Sequence, residues 1–445
     1  MRRLLCLYIC FAIQVSNAQT PSVRLPRLGL SIGFIVLPVD SGHHAIPDGW
    51  AAHRDLWNPS QMKLDFDYAD QPLSDPMLGT AFSRWLRDGR MVIGSVIANF
   101  AYHEYVVDPN TGRIVLDPMA CTNQGCSWTD ANGKKFSQPP AAYSEGLQAI
   151  YDPQSTKAIK YVFSARIADQ SHVEITGEFW TVDTNGKTIN RPFLTGAHGC
   201  TASPDGEYLA CESPGDACKG IQILTILGEH RECVWREGDD VFLRVGFWSP
   251  DSKGFAYYSR SSDGRKGWIM YYRLGRDPSH PIQLLPRDDG DNWTAGEFCS
   301  IIFSHCQHIG ILSTAEEPSS NLGSEILVWS GNPDSLQLYF SAIDRSKQAP
   351  YIRTLGSVRL WFSGDGSVKI GAFRPLMSKN LTPTGFAALP PSGTRIAFLG
   401  VTSHNDARSQ LFVYDRDTKK LTRLTYVGGH EQVFNPSWRS DAPSQ

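Results

Sequence analysis

Apolar residues in this chain come in short runs broken by Pro, Asp, Ser and Gly, and the runs on either side of these breaks do not keep a helical period for long. The segment RVGFWSPDSKGFAYYSR, residues 244–260, shows the pattern: an apolar alternation, a turn cluster, then a second run that includes Phe255, Ala256 and Tyr257. Asp and Ser side chains bond nearby backbone amides, Gly supplies positive φ and Pro pre-sets its own φ, so the cluster turns the chain between two strands. The same grammar recurs in AFSRWLRDGRMVIGS (81–95), AIYDPQSTKAIKYVFSAR (149–166), CTASPDGEYLACES (200–213) and AALPPSGTRIAFLG (387–400). Such runs read as β-strands.

A second hairpin follows most copies, as in HEYVVDPNTGRIVLDP (103–118), EFWTVDTNGKTINRPFLTG (178–196) and LFVYDRDTKKLTRLT (411–425). Asn185-Gly186 is the tight connection expected between antiparallel strands. Two hairpins in series make a four-stranded meander. With Asp88, Asp152, Asp205, Asp251, His305, Ser392 and Asp441 as turn marks, the gaps are 64, 53, 46, 54, 87 and 49 residues. Repeats of that length and strand count are the signature of propeller blades. The long gap leaves room for a degenerate extra copy around LWFSGDGSVKIGAF (360–373). The last copy stops after its first strand, and segments 30–40 and 55–70 offer the strands it lacks, so the two ends are expected to share one blade and close the ring. The expectation is an all-β closed propeller of four-stranded antiparallel blades, seven preferred, with six and eight also allowed.

FWSPDSKGFAYYSR, TASPDGEYLAC, and LFVYDRDTKKLTRLT with FNPSW together resemble the TolB-like propeller repeat, most strongly in 198–260 and 386–441. The pattern departs at Asp152-Pro153-Gln154, at Ser304-His305-Cys306 and through 306–384. The resemblance implies an exported propeller. Its relatives include interaction scaffolds, peptidase-associated domains and lyases, so it does not fix an activity.

Composition narrows the choice. MRRLLCLYICFAIQVSNA, residues 1–18, has a short basic start, an apolar stretch and small residues at Ser16 and Ala18, the form of a secretory signal peptide. The apolar run is shorter than the roughly 20 residues a membrane-spanning helix needs. Residues 19–445 are then one propeller domain, with a Cys-containing insertion at 119–142, and the location is the periplasm or the cell exterior. Removing Arg2 and Arg3 from 42 basic residues leaves 40 against 45 acidic ones, and no basic run stands out. Neither nucleic acid nor an anionic membrane is therefore expected as a main partner. Eight cysteines follow the leader, an even number that suggests disulfides in an exported chain. Cys121 with Cys126 and Cys211 with Cys218 are the short-loop pairs expected.

The Ser249-Pro250-Asp251 slot holds Ser203-Pro204-Asp205, Asp152-Pro153-Gln154 and Pro391-Ser392-Gly393 in other copies, so it reads as a turn and not as a nucleophile with its acid. A serine peptidase needs a Gly-x-Ser-x-Gly elbow, and none occurs. Counting six residues back from the Pro of a repeat reaches His198 from Pro204, Arg244 from Pro250 and His430 from Pro436. These slots lead into first strands, where a propeller opens onto its channel. Glu431 stands beside them, with Asp240 and Glu297 in neighbouring connections. An imidazole takes a proton near neutral pH and Arg grips a carboxylate with two bonds, so the group suits an anionic ligand. The Asp288, Asp289, Asp291 loop lacks the Gly and Glu of a calcium loop. His43 with His44, and His305 with His308, lack zinc-ligand spacing. No metal or cofactor is expected. The leading reading is a binding or scaffold protein for a protein partner or small ligand at the channel mouth. The competing one is a lyase or hydrolase acting there on a small anionic or carbohydrate substrate.

Overall fold

The computed structural model describes residues 28–38, 50–55, 62–67, 80–86, 88–97, 101–108, 111, 113–117, 120–122, 125–129, 135–138, 142–152, 157–168, 175–190, 193–195, 198–212, 218–235, 239–244, 248–261, 267–286, 292–294, 328–332, 335–344, 353–364, 367–376, 381–388, 395–401, 410–426 and 431–440, in several strands by backbone alone. Its described residues form strands and turns only, arranged in eight antiparallel sheets.

Seven sheets share one plan, in which neighbouring strands pair in the following order. Sheet 1 runs Glu431–Ser440, Leu28–Pro38, Trp50–Asp55, Met62–Asp67. Sheet 2 runs Thr80–Trp85, Met91–Ile97, Ala101–Asp108, Arg113–Leu116. Sheet 3 runs Ala142–Tyr151, Ala158–Ala168, Ile175–Val182, with Thr188–Asn190 and Phe193–Thr195 both on its last edge. Sheet 4 runs His198–Ala202, Tyr208–Glu212, Ile221–Thr225, His230–Val234. Sheet 5 runs Asp239–Arg244, Gly254–Ser261, Gly267–Arg273, Ile282–Leu285. In sheet 6, Trp293–Thr294 and Val328–Asn332 flank one edge of Ser335–Asp344, followed by Arg353–Phe362, Val368–Ile370 and Arg374–Pro375. Sheet 7 runs Thr382–Ala388, Arg395–Val401, Gln410–Asp415, Leu421–Arg423. The eighth sheet is small: Ala120–Thr122, Gly125–Thr129 and Lys135–Gln138.

The two ends of the chain do share a sheet. Leu28 pairs with Ser440 and Pro38 with Glu431, so the C-terminal strand supplies the first position and the N-terminal segment the other three. Each of the seven also touches the next. Glu431–Ser440 lies against the first strands of both sheet 2 and sheet 7, and Ala101–Asp108 lies against Ala142–Tyr151. Ile150 and Val162 of sheet 3 pack on Leu209 and Leu224 of sheet 4. Ile223 of sheet 4 shares a core with Phe255 and Tyr257 of sheet 5. Tyr271 of sheet 5 packs with Leu338 and Phe340 of sheet 6, and Tyr339 of sheet 6 with Phe398 and Phe412 of sheet 7.

That stacking explains the sequence pattern. A strand covered on both faces buries both alternating sets of side chains, so it reads as a continuous apolar run. Phe255, Ala256 and Tyr257 are all at most 2% exposed, with Phe255 and Tyr257 facing sheet 4 and Ala256 facing sheet 6. Met270 and Tyr271 split the same way.

The stretch 360–373 is not an extra copy. Leu360 pairs with Ile370 inside sheet 6, so the segment is that sheet's own outer hairpin. The long gap comes instead from the first position of sheet 6, where residues 295–327 separate two strands on one edge. Asn332 pairs with Ser335, so the step from the first strand of sheet 6 to the second falls at 333–334, whereas His305 lies outside the described residues.

Candidate functional site

The repeated Ser-Pro-Asp turn is a closed hydrogen-bonded unit. Ser203 Oγ donates to Asp205 Oδ1 at 2.5 Å and accepts from the Tyr208 amide at 3.0 Å, while the same carboxylate oxygen accepts from the Glu207 amide at 3.1 Å. The second copy repeats each bond: Ser249 Oγ to Asp251 Oδ1 at 2.5 Å, the Gly254 amide to Ser249 Oγ at 3.2 Å and the Lys253 amide to Asp251 Oδ1 at 3.1 Å. Gly206 and Ser252 occupy the same left-handed position, at φ of 69° and 58°. A serine is strained there, and its side chain has a task, because Ser252 Oγ accepts from the Asp205 amide of the neighbouring turn at 3.0 Å. Ser203 and Ser249 are both 0% exposed, so no substrate reaches either hydroxyl.

Behind the second turn lies a buried polar cluster. Asp251 Oδ2 accepts from Arg273 Nη1 at 3.1 Å, the same nitrogen lies 3.3 Å from the Tyr271 hydroxyl, and the guanidinium sits 4.2 Å over the Phe362 ring of sheet 6. Burial pushes the Tyr271 phenol up to about 12. Tyr161, which accepts a bond from Arg90, is likewise pushed up by burial to about 12. A phenol whose pKa is raised on folding contributes stability that is complete below the unfolded value near 10 and is lost as pH rises through the folded one. Stability should therefore fall between about pH 10 and 12. Tyrosinate absorbance followed beside circular dichroism checks this; full ionisation of all tyrosines near pH 10 in a still-folded protein would refute it.

The structure gives the backbone positions of His198, Arg244 and Glu431, and describes none of their side chains. His198 pairs with Glu212 and Arg244 with Tyr258, each partner lying eight residues beyond the Pro of its repeat. The intermediate positions agree, since Ala202 faces Leu209 as Trp248 faces Phe255. His198 and Arg244 thus hold one level on the first strands of adjacent sheets. Glu431 opens the first strand of sheet 1, opposite Pro38. Asp240 stands in the first strand of sheet 5, opposite Arg260. His430, His43, His44, His305, His308, Glu297, Asp288, Asp289 and Asp291 lie outside the described residues. Among the described residues there is no group of three His, Cys, Asp or Glu side chains able to hold a metal. No helix among them is long and apolar enough to cross a membrane.

One feature of this edge is not foreseen from sequence. In sheets 1 to 5 and 7 the pairing of the first strand with the second carries a bulge with the surplus on the first strand, and sheets 1 and 3 carry another with the surplus on the second. Examples are the step from Thr80 to Phe82 and that from Asp240 to Arg244. A bulge raises local twist and re-aims side chains. In sheet 6 the break at 295–327 falls on this same strand. The only trace in the sequence is that the first strands lack clean alternation.

The disulfides require a correction. Cys211 does not pair with Cys218; it bonds Cys200, and Cys218 bonds Cys233. Cys200 and Cys211 lie across the hairpin of the first two strands of sheet 4, with Cα atoms 4.1 Å apart, while Cys218 precedes the third strand and meets Cys233 on the fourth. Strand register, not sequence separation, chose the partners. Two disulfides fit an oxidising compartment.

No family model and no curated protein matches the chain. Solved structures do. An acylaminoacyl peptidase from Pyrococcus horikoshii is 10% identical with a TM-score of 0.49, over 91% of this chain and 53% of its own. The β-propeller domain of the Trilobed protease from Pyrococcus furiosus is 11% identical with a TM-score of 0.46, over 91% of this chain and 100% of that one. An oligogalacturonate lyase solved with manganese is 13% identical with a TM-score of 0.36, over 87% and 97%. The chain thus spans about half the length of the peptidase, and overlaps of this quality are no evidence of a shared active site.

Proposed function

We propose that this chain is an exported, closed, seven-bladed propeller of the TolB-like kind that binds an anionic ligand, either a small molecule or an acidic segment of a protein partner. The ligand sits at the end of the channel where His198, Arg244, His430 and Glu431 stand. The observation that carries this reading is the shared register of His198 opposite Glu212 and Arg244 opposite Tyr258 on adjacent first strands. Closure is supported by the order of sheet contacts and by the pairing of residues 28–38 with 431–440. Export is supported by the leader and the two disulfides.

Arg244 is the anion clamp. His198 and His430 add charge as pH falls through the histidine range, and Glu431 beside them orients an imidazole or a ligand hydroxyl. Titration calorimetry with citrate, glucuronate and inorganic phosphate tests the reading. Charged hydrogen bonds are worth about 1.5–3 kcal/mol, so Arg244→Ala should weaken binding roughly tenfold to a hundredfold. His198→Ala should matter more at pH 5.5 than at pH 8. Binding that ignores both changes, or no binding of any of the three anions, overturns the site. Turnover of the bound compound would convert the binding protein into the lyase or hydrolase of the competing reading.

A further inference from the structure

The eighth sheet stands apart from the four-strand plan, and its first hairpin sets two cysteines at directly paired backbone positions. Thr122 pairs with Gly125, Cys121 with Cys126 and Ala120 with Ser127, so only Asn123 and Gln124 connect the two strands. In a two-residue hairpin the pair that closes the turn exchanges backbone hydrogen bonds and the next pair is of the non-hydrogen-bonded type, with Cα atoms about 4.5 Å apart. Cys121 and Cys126 hold that second position. Directly opposed residues share a face of the sheet, and a disulfide spans Cα separations of about 4.4–6.8 Å. The protein already uses this relation once, since Cys200 and Cys211 bridge the first two strands of sheet 4.

We propose that Cys121 and Cys126 are joined by a cross-strand disulfide that fastens this hairpin. The backbone register carries the assignment. The short spacing in the sequence alone does not, because the equally short Cys211 and Cys218 are not partners. The sheet is three short strands, spanning residues 120–138, the smallest number that can hold together in water by itself. A bond across the hairpin reinforces it.

Formation is ordinary thiol–disulfide exchange. The Cys121 and Cys126 thiols lose two protons and two electrons as their sulfur–sulfur bond forms. The disulfide of oxidised glutathione takes up both and leaves as two molecules of the reduced tripeptide.

The test uses the full chain oxidised in a glutathione buffer until the Cys200–Cys211 and Cys218–Cys233 peptides are found disulfide-linked. Native protein is then alkylated without reduction, digested with trypsin and weighed. Arg113 and Lys134 bound one peptide, 114–134, that contains both cysteines. It should be unalkylated and lighter by two hydrogens than the dithiol, and should take two alkyl groups after reduction. In Cys121→Ser protein, Cys126 should become alkylated without reduction while the other two disulfides stay intact. The proposal is overturned if peptide 114–134 carries two alkyl groups before reduction, or if either cysteine is found linked to Cys299 or Cys306.

Discussion

Replacing Trp248 by alanine is expected to destabilise the fold by roughly 3–5 kcal/mol, the usual cost of emptying a buried aromatic site. Trp248 is 6% exposed and belongs to both sheets 4 and 5: its ring lies 5.3 Å from Phe255 and 6.3 Å from Tyr208, and its Nε1 donates to the Thr201 carbonyl at 3.1 Å. Alanine opens a cavity between the sheets and strips that carbonyl of its indole donor. Trp248→Phe refills most of the space without the N–H, and should cost about 1–3 kcal/mol, the range for an unsatisfied buried polar group. Urea denaturation followed by far-ultraviolet circular dichroism measures both. A midpoint shift worth less than about 1 kcal/mol for the alanine variant, at unchanged slope, would mean that the two sheets do not depend on each other here.

Asp251→Ala should cost roughly 3 kcal/mol, near the low end for breaking a buried ion pair, because Arg273 keeps some access to water. The Asp251 side chain is 3% exposed and that of Arg273 19%. One carboxylate holds the Ser249 hydroxyl, the Lys253 amide and the guanidinium. Asp251→Asn preserves an acceptor for the turn and loses the charge, and should fall between wild type and alanine. Asp205→Ala, at the exposed counterpart of the same turn, should cost about 1 kcal/mol, as the loss of a capping residue does. If Asp251→Ala left stability alone and abolished anion binding, the turn would have to be read as a site.

The turns, hairpins and paired ends are legible in the sequence because each rests on local chemistry: Asn185-Gly186 places positive φ at Gly186, and Ser203-Pro204-Asp205 caps its own amides. Sheet 6 is obscured for a physical reason. Its first strand is interrupted between Thr294 and Val328, so its step to the second strand, between Asn332 and Ser335, stands far from its predecessor, and His305 falls nearer the expected spacing. Disulfide partners are misread at Cys211 because Cys211, on the second strand of sheet 4, bonds across to the first, while Cys218, ahead of the third, bonds across to the fourth. For the candidate site, counting back from Pro250 locates Arg244 at the level of His198, since register is periodic. The surplus residues on the first strands defeat the same count for side-chain direction, because a bulge reverses the alternation that sequence reading relies on.

Pairing Leu28 with Ser440 means that the first sheet is the last that a ribosome can complete. The other seven sheets have all their strands before residue 430 has been made, but the Leu28–Pro38 strand keeps an open edge until Glu431–Ser440 arrives. An open edge invites pairing with another chain, and contacts this distant in sequence form slowly. The architecture therefore ties an early strand to a late one: a chain that loses the Glu431–Ser440 strand loses the partner of Leu28–Pro38.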